Sequence, residues 1–151
     1  MKTRVVLRAW WPLLWLAAYS TTHADTSPAD PAAPANLSCA RTSNCVNTLA
    51  GSELQPLAFS DPPAQAWQRL HQLLQRDPQL QITHFTEDQI DVVATTRWLG
   101  FKDDVRFVLD THAKQIHFRS MSRVGRYDFG KNASRMRDIA QQFQTTPGIT
   151  P

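Results

Sequence analysis

Only two cysteines, Cys39 and Cys45, occur in the 151 residues, which excludes a scaffold held by several disulfides. No Gly-x-Ser-x-Gly elbow is present, so the serine hydrolases built on that turn are excluded. No Gly-rich phosphate loop occurs, and with it go the common nucleotide-binding classes. A long apolar run is missing as well. The stretch from Ala9 through Tyr19 is well short of the roughly 20 residues that span a bilayer, and Pro12 interrupts it.

That short apolar run has a basic head, Lys2, Arg4 and Arg8, and is followed by small residues ending at Ala24. This is the plan of a secretory signal peptide over residues 1–24, cleaved after Ala24, with a retained membrane anchor as the alternative, and it implies a periplasmic or secreted protein. No membrane-spanning segment is expected after cleavage. Cleavage also cancels the apparent basicity. The net +3 resides in Lys2, Arg4 and Arg8, so the remaining 13 basic residues balance 13 acidic ones. The overall charge therefore gives no support for nucleic acid as a partner. The balance is uneven along the chain: ten basic and five acidic residues follow Thr96, against three and eight between Asp25 and Thr96.

Residues 25–38 are rich in Pro, Ala, Asp and Ser and read as a disordered linker. A single domain is expected over 39–144, with a flexible tail at 145–151. In an oxidising compartment Cys39 and Cys45 read as a short-loop disulfide. Free thiols and zinc are the alternatives, but five intervening residues and no nearby histidine suit zinc poorly.

Asp61 is placed to cap a helix that starts with Pro62 and Pro63 and lines up Trp67, Leu70 and Leu74. Four alternating stretches follow: Leu80-Ile82-His84, Ile90 to Trp98, Val105-Phe107-Leu109 and Ile116-Phe118-Ser120. Short connections imply an antiparallel meander. A turn at Leu99 to Lys102 would set Ala94 opposite Phe107, Trp98 opposite Asp103 and Arg97 opposite Asp104. A turn at Thr111 to Lys114 would set Phe107 opposite Phe118 and Arg106 opposite Arg119. A last helix starting near Asn132, read as its cap, lines up Met136, Ile139 and Phe143. The fold class is α+β: a four-stranded antiparallel meander with two helices on one face, in the order α-β-β-β-β-α. The segment Val46 to Ser60 could add a strand.

The candidate site is the charged stretch around the last strand and its loop. Arg97, Arg106, Arg119, Arg123 and Arg135, with Asn132, are candidate anion ligands, and Asp103, Asp104 and Asp128 would orient them. Arg106 opposite Arg119 is unfavourable without a neutralising group, and Arg135 opposes the helix dipole. Two readings follow from this placement. In one, the aspartates brace the arginines while Gly125 and Gly130 supply positive backbone angles. In the other, the arginines hold a phosphate, carboxylate or sulfate. Catalytic alternatives are thinner. His117 lies near Ser120 and Ser122, Asp103 and Asp104 point to opposite faces, and Asp110, His112 and His117 lack a recognised metal spacing. No metal and no cofactor is expected.

Three blocks, Cys39-x5-Cys45-Val, Gly100-Phe-x-Asp103-Asp104 and Arg119-Ser-x-Ser-Arg123-x-Gly125-x-x-Asp128-x-Gly130-x-Asn132, resemble domain of unknown function family 1499. The resemblance spans nearly the whole mature domain. It departs at Cys39-Ala-Arg, where Cys-Pro is usual, and at Asn132-Ala133, where Arg often follows the Asn. It implies a small exported or membrane-tethered protein and supplies no mechanism. The function expected is a non-catalytic binding module for an anionic small molecule, a lipid headgroup or an envelope partner. An enzyme of unknown reaction and a purely structural protein are the alternatives.

Overall fold

The computed structural model describes residues 36–146, in the order β1 (Cys45–Asn47), β2 (Leu57–Ala58), α1 (Pro63–Arg76), β3 (Leu80–Phe85), β4 (Gln89–Thr95), β5 (Lys102–Asp110), β6 (Gln115–Ser122) and α2 (Lys131–Thr145). The signal segment, the linker up to Ala35 and the tail beyond Thr146 lie outside the described residues. Leu37, assigned to the linker on composition, is fully buried, and its carbonyl accepts from Asn47 Nδ2 at 2.8 Å.

The protein is α+β. The meander runs from β3 to β6, but the sheet has six strands, because β1 and β2 both pair antiparallel with β6. The element order is thus β-β-α-β-β-β-β-α. With two or three residues each, the added strands are too short for alternation to reveal them. β4, β5 and β6 alternate buried and part-exposed side chains, as a sheet covered on one face requires. On the covered face Ile90, Val92, Val105, Phe107, Ile116 and Phe118 pack with Trp67, Leu70 and Leu74 of α1 and Met136, Ile139 and Phe143 of α2. Phe107 and Phe118 pair across the strands as expected and meet edge to face, with centroids 6.3 Å apart.

The β4–β5 register differs from expectation. Ile90, not Ala94, faces Phe107, and Ala94 faces Asp103. The loop is Thr96 to Phe101, closed by Thr96 N donating to Phe101 O at 2.8 Å and Phe101 N donating to Thr96 Oγ1 at 2.9 Å. The displacement is an even number of residues, so every side chain keeps its side of the sheet. Arg97 and Trp98, expected in the strand, move into the loop and are exposed.

Helix α1 starts without a side-chain cap; Pro62 and Pro63 fill its first positions, where a missing N–H costs nothing. Asp61 is engaged elsewhere. Its carboxylate takes both forks of Arg69, whose Nη1 also donates to Phe143 O at 2.6 Å and whose guanidinium lies 3.8 Å from the Phe143 ring centroid. This pair joins the start of α1 to the end of α2 at a nearly buried position. Removing one partner strands a buried charge. Asp61→Ala is expected to lower the unfolding free energy by about 3 kcal/mol in urea titration, and Asp61→Ala with Arg69→Met to recover much of that loss.

Candidate functional site

The end of the sheet where β4 stops, β5 starts and β6 stops also receives the start of α2, so the charged motif gathers there. Gly125, Phe129 and Gly130 have φ of 89°, 52° and 75°, which carry the chain from β6 into α2. Gly125 and Gly130 supply the left-handed turns expected of them. Asp128 acts on backbone. Its Oδ1 accepts from Gly130 N at 3.0 Å, its Oδ2 from Asn132 N at 2.9 Å, and its carbonyl from Lys131 N at 3.1 Å. It therefore satisfies the N–H groups that open α2 and contacts no arginine side chain among the described residues. The helix start expected to receive an external anion is held by this carboxylate.

Asn132 is not the cap. It lies within α2, fully buried, with its amide turned into the domain. Its Nδ2 donates to Ser122 Oγ at 3.0 Å and to Asn44 O at 3.2 Å, while its Oδ1 accepts from the Ser120 hydroxyl and from Arg135 Nη1. Arg135 also reaches Ser120 Oγ at 3.2 Å and places Nη2 2.6 Å from Asp103. Asp103, Ser120, Asn132 and Arg135 thus form one polar knot at the end of the apolar core. It supplies a carboxylate for Arg135, which is the fifth residue of α2 and so lies past the first turn where it was expected to oppose the helix dipole.

The other sheet face carries two further pairs. Arg123 donates to both oxygens of Asp104, at 2.7 to 3.1 Å, and Arg106 to both oxygens of Asp91, at 2.7 and 3.1 Å. Each guanidinium is held above its ordinary pKa, foremost by the hydrogen bond to its carboxylate. Arg106 does face Arg119 across the strands. Asp91 neutralises the first, and the second donates to Ser38 O at 3.2 Å while its Nε is buried without a partner. Asp91 escaped the sequence reading because the narrower turn assigned it a different partner; the observed register places it opposite Arg106. Arg97 does not meet Asp104, which faces Val93. Of the named ligands, Asn132 and Arg135 are joined by a side-chain hydrogen bond, and Arg106 and Arg119 are cross-strand neighbours.

The arrangement also bears on chemistry. Ser120 and Ser122 turn to the core side and bond Asn132, whereas His117 lies on the other face with Nδ1 3.2 Å from Thr48 Oγ1. Neither Ser120 nor Ser122 is thereby paired with His117. Among the described residues no three His, Cys, Asp or Glu side chains form a metal-sized group. Cys39 and Cys45 are joined in a disulfide with Cα atoms 5.7 Å apart. The loop they close supports the motif: Ser43 O accepts from Asp128 N at 3.3 Å, and Asn44 Nδ2 donates to Gly125 O at 2.7 Å.

Beyond the knot, two loops project. The β4–β5 loop exposes Trp98, Leu99 and Phe101, and the β6–α2 loop exposes Val124, Tyr127 and Phe129. Arg97, Lys102, Arg126 and Lys131 lie in or beside these loops, exposed and in no ion pair among the described residues. Sequence alternation concealed Trp98 by continuing the strand past Thr95.

The two adjacent aspartates give a sharp test of the brace. Asp103 keeps 4 % of its side chain exposed and Asp104 keeps 42 %. Asp103→Ala is expected to lower the unfolding free energy by about 3–5 kcal/mol, as for a broken buried pair. Asp104→Ala is expected to lower it by less than about 1 kcal/mol. Equal losses in urea titration would refute a buried brace at Asp103.

Comparison with known proteins places these features in a family. No curated protein and no solved structure matches the chain. A family model does match, over residues 37–143, an interval that starts at buried Leu37 and ends at Phe143 in the core. The chain belongs to the family described as Protein of unknown function (DUF1499).

Proposed function

We propose that the protein is an exported, non-catalytic binding module whose partner is anionic and meets the loop end of the sheet. The observation that carries this reading is a division among the cations. Arg106, Arg123 and Arg135 are each engaged by an aspartate, so they brace the fold. Arg97, Lys102, Arg126 and Lys131 point into solvent at one end, around a group of exposed aromatic residues. Cations with no internal carboxylate attract a partner of opposite charge and steer its approach. Of the arginines expected as ligands only Arg97 is retained, joined by Lys102, Arg126 and Lys131, with the Arg/Asp motif as their frame. The disulfide between Cys39 and Cys45 and the absence of a membrane-spanning helix among the described residues are compatible with export.

The test uses the chain from Asp25, which contains every residue of the described core, and inorganic polyphosphate as the polyanion. Binding followed by fluorescence is expected at low salt and should weaken as salt screens the contacts. Joint Arg97→Glu, Lys102→Glu, Arg126→Glu and Lys131→Glu is expected to abolish it while leaving the unfolding midpoint close to that of the parent. Absence of salt-sensitive binding by the parent chain would overturn the reading.

A further inference from the structure

We infer that the partner at this end is an anionic lipid bilayer surface, with Trp98, Leu99 and Phe129 entering the boundary between headgroups and acyl chains. The inference rests on the binding reading above and names the partner of that same end. Trp98 is 90 % exposed and Phe129 is 93 % exposed, at positions where a domain meeting only water has no use for large apolar side chains. They are carried on two loop tips and are not gathered in a cleft. Two grooves lie elsewhere: one is lined by Leu54, Met136 and Ala140, the other by Phe59, Arg69 and Gln144. Projecting apolar tips suit a soft surface that admits them, whereas a small ligand needs a concavity.

Charge supports the same partner. The β4–β5 loop contains no acidic residue, and in the β6–α2 loop the single carboxylate, Asp128, is occupied by backbone N–H groups. Aromatic side chains ringed by Lys and Arg match an anionic interface, where the rings sit at headgroup level and the cations meet phosphates. A second copy docked through the same end would set these cations against their own equivalents, which opposes a two-fold dimer.

Backbone geometry adds an independent observation. Phe129 adopts φ 52°, a left-handed conformation that bulky side chains rarely take, and it does so with its ring in solvent. Burial of the ring therefore does not offset the strain within the domain. The strained position is fixed by Asp128 on one side and α2 on the other, and the loop is backed by the disulfide-closed segment through Ser43 and Asn44. A strained, rigidly held and exposed aromatic residue points to a contact outside the domain.

The experiment is co-sedimentation of the chain from Asp25, which leaves out the apolar head, with phosphatidylcholine vesicles made with and without phosphatidylglycerol. The chain is expected to sediment with the anionic vesicles and to bind phosphatidylcholine alone at least about tenfold more weakly. Trp98 emission should move to shorter wavelength on anionic vesicles, over a constant background from Trp67, which is already buried. Trp98→Ser, Leu99→Ser and Phe129→Ser together are expected to weaken vesicle binding at least about tenfold while leaving polyphosphate binding unchanged. If that variant sediments like the parent, the bilayer inference is overturned and the anionic-partner reading stands. Parent chain that binds polyphosphate but ignores every vesicle overturns it in the same way. Binding to neither probe overturns both. A dimer in solution that the three substitutions dissolve would assign the tips to a second copy, against the inference.

Discussion

A helix that lands on the end of a sheet presents two problems: its first N–H groups lack partners, and a cation that it carries into the core needs a counter-charge. Here both meet at one place. Asp128 takes the N–H groups from outside, and Asp103 reaches Arg135 from the covered face of the sheet. Asn132 lies between them, fully buried, and uses donor and acceptor alike. Burial makes this knot consequential, because a buried polar group left unpaired destabilises by about 1–3 kcal/mol. Each member therefore fixes the rest, and the position of α2 depends on all of them.

The loops inherit that rigidity. The β6–α2 loop begins where Arg123 N donates to Lys102 O and ends where Asp128 closes onto Gly130, so both of its ends are pinned. The β4–β5 loop is pinned through Thr96. A short disulfide adds about 2–3 kcal/mol in the chain-entropy picture. Its structural effect is local, since it holds Ser43 and Asn44 against Asp128 and Gly125. Apolar side chains on floppy loops would collapse onto the nearest apolar surface; on pinned loops they stay in solvent.

Much of this was legible in the sequence, for reasons that differ by element. The faces of β4, β5 and β6 followed from alternation, and Phe107 opposite Phe118 followed from the tight turn at Thr111 to Lys114. In β3 alternation failed past Ile82, where a bulge sets His84 opposite Asp91 and Phe85 opposite Ile90. The β4–β5 register was not legible. Alternation continues through Thr96 and Trp98 as though the strand did, and only the hydrogen bonds of Thr96 show where it ends. That error displaced Arg97 and hid Asp91. β1 and β2 were too short to have a period. In the motif, read as an Arg/Asp set, Asp104 does pair with Arg123 and Asp103 with Arg135, whereas Asp128 holds backbone N–H groups and Arg119 meets no aspartate among the described residues. The roles of Asp128 and Asn132 were not readable, because both residue types suit a helix start and only burial separates a cap from a core amide.

The same pairs bear on how charge reaches the surface. By composition the residues after the basic head are neutral, and such a protein offers little long-range attraction. Pairing divides the charges between the brace and the surface. Asp103 and Asp104 are bound to arginines, and Asp128 is bound to backbone. The carboxylates nearest the loop end are thus consumed within the fold, while Arg97, Lys102, Arg126 and Lys131 are not. The net charge of the end is unchanged, because each braced aspartate takes one arginine with it, but the cations left without a carboxylate are those that project from the loops. Stability and the placement of surface charge come from one set of contacts, so a change that loosens the knot would free an arginine with each aspartate and blur the separation between braced and projecting charges.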